Sequence, residues 1–155
     1  MRTRLAASHR APLADLLRRT PEFTKDEVDV ALELVDAALA GSPDYRFVVD
    51  EDEASRAVRG YVCFGKTPMT ESTYDLYWIA VDPACKRGGI GRALARAMEA
   101  EIAADGGRLV RVETAGLDAY EATRAFYDGL GYEVVARIRD FYARGNDLVI
   151  YGRYL

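Results

Sequence analysis

Apolar and polar positions along the chain change their period several times, and each change marks an element. Val28, Leu32, Val35 and Leu39 recur at helical spacing. Thr24-Lys25-Asp26-Glu27 precedes them with the Ser/Thr-x-x-Glu form of a capping box, and Gly41 then Pro43 end the helix. A shorter helix is predicted before it, from about Ala11 to Arg19. Tyr45–Val49 and Val58–Phe64 read as strands, followed by a turn over Gly65 to Glu71 that contains Pro68. Tyr74–Val81 is a third strand, rich in aromatic and β-branched residues and stopped by Asp82-Pro83. A glycine-rich run then opens a helix with Ile90, Leu94, Met98 and Ile102 on one face, closed by Gly106-Gly107. Leu109–Thr114 is strand-like, and Tyr120–Leu130 is helical with Ala122, Phe126 and Leu130 inward and Gly131 as its stop. Tyr132–Arg137 and Leu148–Tyr154 finish as strands around a Phe141–Asn146 loop. This order predicts a mixed α/β sandwich with much antiparallel pairing rather than a repeated parallel winding. No repeat or Gly/Ser linker divides the chain, so residues 1–155 are expected to form a single domain.

Composition narrows the chemistry. The chain of 155 residues is half apolar and 30% charged, as expected of a soluble globular domain. Its formal net charge of −4 argues against general nucleic-acid binding, which needs a basic face to neutralise phosphates. The longest apolar runs are only a few residues, too short for a membrane span, and Arg2, Arg4 and Arg10 precede no apolar stretch that would read as a secretory signal. Cys63, Cys85 and the single His9 make neither a disulfide framework nor a zinc set, so free thiols, a cytoplasmic location and no metal are expected. With one histidine, Ser-His and Cys-His mechanisms could run only through His9, which lies among polar residues near the amino terminus. The chemistry is therefore expected from Tyr, Asp, Glu or backbone groups.

The sharpest local signal runs from Val81 through Asp82-Pro83-Ala84-Cys85-Lys86-Arg87-Gly88-Gly89-Ile90-Gly91-Arg92 to Ala93-Leu94. A strand ends at a proline, a glycine-rich loop follows, and an amphipathic helix starts at once. The first turn of a helix has unpaired amides and partial positive charge, and glycines let a ligand approach those amides. Together they make a seat for an anion such as a pyrophosphate, with Lys86, Arg87 and Arg92 adding charge. Gly-x-x-x-x-Gly-Lys-Ser/Thr is absent, and Gly89-Ile90-Gly91 lacks the third glycine and the initial βαβ unit of a dinucleotide site. The run instead resembles the acetyl-CoA loop of the GNAT acyltransferase superfamily, Gln/Arg-x-x-Gly-x-Gly/Ala. Here it reads Lys86-Arg87-Gly88-Gly89-Ile90-Gly91, with Lys in the usual Gln/Arg place. Thr123-Arg124-Ala125-Phe126-Tyr127-Asp128-Gly129-Leu130-Gly131-Tyr132 is similar to the superfamily's later helix and turn, Ala-x-x-Leu-Tyr-x-x-Leu-Gly-Phe.

The resemblance implies a twisted mixed, largely antiparallel sheet flanked by helices, with a splayed central strand pair that admits the pantetheine arm. It implies that acetyl-CoA is held by backbone groups around Ile79, Ala80 and Val81 and by the loop from Lys86 to Arg92. It assigns Tyr127 as the general acid near the departing sulfur, and an amide of the splayed strand as the oxyanion donor. Two carboxylates stand where superfamily members place a base: Asp75, six residues before Val81, and Glu113, at the end of the neighbouring strand. Alternation puts Asp75, Tyr77, Ile79 and Val81 on one face of their strand. Either acid, or a bound water, can serve. Tyr74, Tyr77, Tyr142 and Phe23 are candidates to line an acceptor pocket, and an acidic protein attracts a cationic amine. The acceptor is expected to be a small-molecule amine or a peptide N-terminus, and the protein a monomer or homodimer. The rival readings are a non-catalytic acyl-CoA-binding or regulatory module and an ATP-binding protein that uses the same loop.

Overall fold

A computed structural model describes residues 1–155. It contains seven strands and four α-helices in the order β1 (Arg2–Arg4), α1 (Arg10–Arg19), α2 (Lys25–Leu39), β2 (Arg46–Glu51), β3 (Val58–Lys66), β4 (Thr73–Val81), α3 (Ile90–Ala104), β5 (Leu109–Ala115), α4 (Glu121–Leu130), β6 (Glu133–Ala143) and β7 (Asn146–Tyr154). The sheet order is β1-β2-β3-β4-β5-β7-β6. β4 and β5 are parallel, while β1/β2, β2/β3, β5/β7 and β6/β7 are antiparallel. The expected mixed, largely antiparallel sheet flanked by helices is therefore present. No helix is long and apolar enough to cross a membrane.

The chain divides into two compact units, and β4 contributes to both. The first comprises Met1–Gly65 and Tyr77–Glu101. Its core packs Leu13, Leu16 and Leu17 of α1 with Val28, Leu32 and Val35 of α2 and with Phe47, Val49 and Tyr61 of the sheet. The capping box forms as expected: the Glu27 amide donates to Thr24 Oγ1 (3.2 Å) and the Thr24 amide to Glu27 Oε2 (2.7 Å). Each end group thus satisfies a donor that the helix itself leaves unpaired. Arg10 holds Asp36 with two hydrogen bonds (2.6 and 2.9 Å) and fastens α1 to α2 at the surface.

The second unit comprises Lys66–Leu76 and Ile102–Leu155. Val110 and Val112 of β5, Leu148, Val149 and Tyr151 of β7, and Tyr127 and Leu130 of α4 are buried in it. Here the periodic reading of α4 needs correction. Ala122 is exposed and Phe126 only half-buried, whereas Tyr127 faces inward with Leu130. Leu130 is inward as expected, and Tyr127, three residues before it on the same helical face, takes the inward place expected of Phe126.

Two strands depart from the periodic reading. β1 was not expected; three residues are too few to display an alternation, and it is set by pairing Arg2 with Asp50 and Arg4 with Val48. The expected Phe141–Asn146 loop is mostly strand, since β6 runs to Ala143 and β7 starts at Asn146. All eleven residues of β6 are exposed, so no half-buried alternation announces the strand. Its register shifts twice against β7, and Asp140 adopts φ 54° with its amide donated to Asp147 Oδ1 (3.0 Å).

Gly60 marks a close approach within the first unit. A Cβ there would lie 2.8 Å from the Ala80 carbonyl oxygen and 3.1 Å from Leu94 Cδ1. Alanine ordinarily stabilises a strand relative to glycine by restricting the unfolded chain, by about 0.4–1 kcal/mol. Overpacking against a backbone oxygen costs about 1–3 kcal/mol and wins. Gly60→Ala should therefore lower the unfolding free energy in urea denaturation; an unchanged or higher midpoint would show that β4 yields freely.

Candidate active site

The glycine-rich loop is built by strand exit, cap and helix start in nine residues. β4 ends at Val81, and Asp82 caps the short helical turn Pro83–Cys85 by accepting from the Ala84 amide (2.9 Å). The Asp82 amide donates to the Arg59 carbonyl (2.8 Å). Its buried carboxylate receives both guanidinium nitrogens of Arg19 (3.2 and 2.7 Å). Burial alone would raise the Asp82 pKa, but the hydrogen bonds from Arg19 and Ala84 and the Arg19 charge outweigh it, and the net shift is downward. The clamp's contribution is thus fully present above the ordinary carboxylate pKa and is lost as pH falls through the depressed one.

Beyond this cap the loop turns on left-handed backbone at Arg87 (φ 68°) and Gly89 (φ 77°). A Cβ at Gly89 would meet nothing within 4 Å, so the space beside the helix start is open. The first helical bond runs from the Ala93 amide to the Gly89 carbonyl (2.9 Å). The amides of Ile90 and Gly91 precede it and have no carbonyl of their own helix to accept them. Arg87, Gly88, Gly89 and Arg92 are exposed there. Lys86 is exposed too, but its ammonium is engaged by Glu22 Oε1 at 2.6 Å. This corrects the expectation that Lys86 simply adds positive charge at the loop.

The parallel ladder between β4 and β5 holds four pairs, Thr73↔Leu109 to Leu76↔Val112, and then ends. β4 nevertheless continues to Val81. Ile79, Ala80 and Val81 therefore lie beyond the last pair of that ladder.

In the second unit, one guanidinium brings the two candidate bases together. Arg111 donates through Nε to Asp75 Oδ1 (2.7 Å) and through a terminal nitrogen to Glu113 Oε1 (2.9 Å). Asp75 is buried, and its other oxygen accepts from Thr67 Oγ1 (2.8 Å). Glu113 keeps 43% of its side chain exposed. The hydrogen bond donated to Asp75, followed by the charges of Asp75 and Glu113, raises the Arg111 pKa despite burial, so it stays cationic. Asp75 thus has both oxygens engaged in structure, whereas Glu113 meets Arg111 through one oxygen and is exposed. Arg111 was missed in the sequence; its place two residues before Glu113, on the same strand face, was the available signal.

Tyr127 is 4% exposed and packs against Phe126, Tyr132 and Tyr151 at ring separations of 5.4, 5.8 and 5.6 Å. Burial pushes its phenol pKa well above the ordinary value. His9 is a structural residue: Nδ1 accepts from the Ala6 amide (3.0 Å), so Nε2 carries the proton donated to buried Glu51 (2.8 Å). Such a ring has no free nitrogen with which to act as a base. The four aromatic residues expected to line an acceptor pocket do different things. Tyr74 is buried beside Gly107, Phe23 meets Trp78 edge-on (5.3 Å), Tyr77 meets Tyr45 (5.5 Å), and Tyr142 is exposed against Phe141 (5.0 Å).

The sequence profile described as "Acetyltransferase (GNAT) domain" matches residues 43–134. A protein from Desulfovibrio desulfuricans assigned to the GNAT family is 39% identical, with a TM-score of 0.94 over 99% of this chain and 98% of its own. The chain belongs to the GNAT family of acetyltransferases and is an N-acetyltransferase. An aminoglycoside 6'-N-acetyltransferase complexed with coenzyme A shares the fold at 18% identity and a TM-score of 0.78, over 99% of this chain and 96% of that one. The ribosomal-protein-S18-alanine N-acetyltransferase of Escherichia coli does so at 19% identity and 0.77, over 99% and 92%. No protein in the curated set matches the chain in sequence. Acetyltransferases of this family use acetyl-CoA.

The different settings of the two acids predict different costs. Asp75→Asn disturbs a buried, doubly bonded carboxylate and should destabilise the fold by about 1–3 kcal/mol. Glu113→Gln alters an exposed pair and should cost less than about 1 kcal/mol. Equal losses in thermal or urea denaturation would contradict this division.

Proposed function

We propose that this chain transfers an acetyl group from acetyl-CoA to a primary amine, on a small molecule or a peptide or protein N-terminus, by direct attack in a ternary complex. The observation that carries the reading is the open start of α3, where left-handed Gly89 exposes helix amides directly after β4. Those amides and the helix dipole suit a pyrophosphate. Lys86, Arg87, Gly88, Gly89, Ile90, Gly91 and Arg92 are assigned to that group, mostly through backbone, and Ile79, Ala80 and Val81 to the pantetheine and thioester. The two solved enzymes named above, one acting on an aminoglycoside and one on a protein alanine, mark the range of acceptors considered. A net charge of −4 favours a cationic amine over an anionic one.

The amine must lose a proton, attack the thioester and form an oxyanion that a backbone amide stabilises. Glu113 is the preferred base, because Asp75 has both oxygens committed. Tyr127 is assigned to the departing sulfur. A free phenol near pKa 10 already gives its proton to a thiolate of pKa near 8.5 at a cost of about 2 kcal/mol, and burial makes the transfer harder. Tyr127 therefore works as a hydrogen-bond donor while charge grows on sulfur, and full protonation of the thiolate is completed by the proton released from the amine.

Acetyl-CoA should raise the melting temperature by mass action, and ATP should not. Gly89→Asp places a carboxylate at the anion seat, in a backbone region that Asp tolerates better than most residues. If the folded variant binds acetyl-CoA with unchanged affinity, the loop assignment is wrong. With an amine that the wild-type enzyme acetylates, Glu113→Gln should lower turnover by ~10²–10⁴-fold, and the loss should shrink at high pH where the amine deprotonates unaided. Tyr127→Phe keeps the ring and should lose ~10²-fold in turnover with near-normal acetyl-CoA binding. Turnover within a factor of two would reduce Tyr127 to a packing residue.

A further inference from the structure

The turn between α1 and α2 reaches the cofactor loop across more than sixty residues of sequence, and it does so at separate points. Arg19, the last residue of α1, holds Asp82 at the loop's entry with two bonds of 3.2 and 2.7 Å. Glu22 holds Lys86 at 2.6 Å. Phe23 lies edge-on to Trp78 of β4 at 5.3 Å and 87°. The turn is itself tied down, since buried Thr20 donates through Oγ1 to the Leu16 carbonyl (2.9 Å) and accepts at its own carbonyl from the Phe23 amide (3.2 Å).

We propose that Arg19 and Glu22 are positioning residues for the acetyl-CoA loop, Arg19 acting through Asp82 and Glu22 through Lys86. The Lys86 ammonium is on this view an anchor of the loop and not a ligand of the pyrophosphate, whatever its backbone contributes. The inference rests on the proposed cofactor role of the loop and adds what holds the loop in place. Its physical basis is pre-organisation. A loop that binds through amides opened by Gly88, Gly89 and Gly91 has much backbone freedom to lose, and that loss subtracts from affinity. Fixing Asp82 and Lys86 brackets the turn Pro83–Cys85 and sets the direction from which the chain enters the glycines. Neither ion pair is deeply buried on its cationic side, with Arg19 55% and Lys86 44% exposed. Pairs of this kind contribute little to overall stability. Their effect should therefore appear in affinity for the cofactor more than in melting temperature.

Charge exchange separates an anchor from a ligand. The Kd of CoA, measured by calorimetry, needs no knowledge of the acceptor. Arg19→Ala, Glu22→Lys and Lys86→Glu should each weaken CoA by about fivefold or more. The exchanged pair, Glu22→Lys with Lys86→Glu, rebuilds the tether with its charges reversed and should return to within about threefold of wild type. If the exchanged pair stays as weak as Lys86→Glu alone, Lys86 is a phosphate ligand and the anchor is refuted. An Arg19→Ala variant that melts like wild type and binds CoA equally well refutes the role of Arg19. Should Arg19→Ala fail to fold, Arg19→Lys, which keeps one bond to Asp82, must give an intermediate Kd for the proposal to stand. A wild-type chain that does not bind CoA at all would remove the functional reading itself, an outcome distinct from normal wild-type binding with unaffected variants.

Discussion

The first amides of α3 have no carbonyl of their own helix to accept them, and the local architecture of the first unit is organised around that deficit. An unpaired helix start in water is merely solvated. Here it follows a strand end, a capped turn and a left-handed glycine, which leave it facing open space. A cationic clamp on Asp82 and a second ion pair on Lys86 secure the approach to it. Gly60 serves the same arrangement from beneath, because the missing side chain admits the Ala80 carbonyl of β4 and a leucine of α3. A helix dipole that is both exposed and held in place is worth more to an anion than the same dipole on a mobile segment, since little reorganisation is left to the moment of binding.

The second unit treats its charges differently. Arg111 is shared between a buried and an exposed carboxylate, and the sharing divides their labour. Asp75 is the buried partner, and Arg111 and Thr67 between them satisfy both of its oxygens. Glu113 meets Arg111 through one oxygen and keeps 43% of its side chain exposed, which is why it is the base proposed above. Tyr127 is a compromise of a similar kind. Its ring is part of an aromatic cluster with Tyr132 and Tyr151, so the residue that the family pattern marks for chemistry also fills the core. Burial holds the phenol in its protonated form, which suits a donor of hydrogen bonds better than a donor of protons.

Much of this was legible in residue order. The capping box at Thr24, the exit at Asp82-Pro83, the glycines before Ile90 and the stop at Gly131 are local signals, each decided by the backbone chemistry of a few neighbouring residues. They placed the helices and most strands to within a few residues, and the glycine-rich turn before α3 falls where the family pattern put it. β1 and the far half of β6 were not legible, because one is too short and the other too exposed to carry a periodic pattern.

Side-chain partnership was the other thing that residue order withheld. That Lys86 faces Glu22, that Arg19 clamps Asp82, that His9 spends both ring nitrogens on Ala6 and Glu51, and that Arg111 joins Asp75 to Glu113 are outcomes of how distant segments pack. Sequence alone determined where the glycine turn and the start of α3 fall, because glycine conformation and helix ends are properties of the local chain. Only the tertiary structure decided which charges are paired beside them, as Lys86 is with Glu22, because an ion pair depends on separation in space and not on separation along the chain.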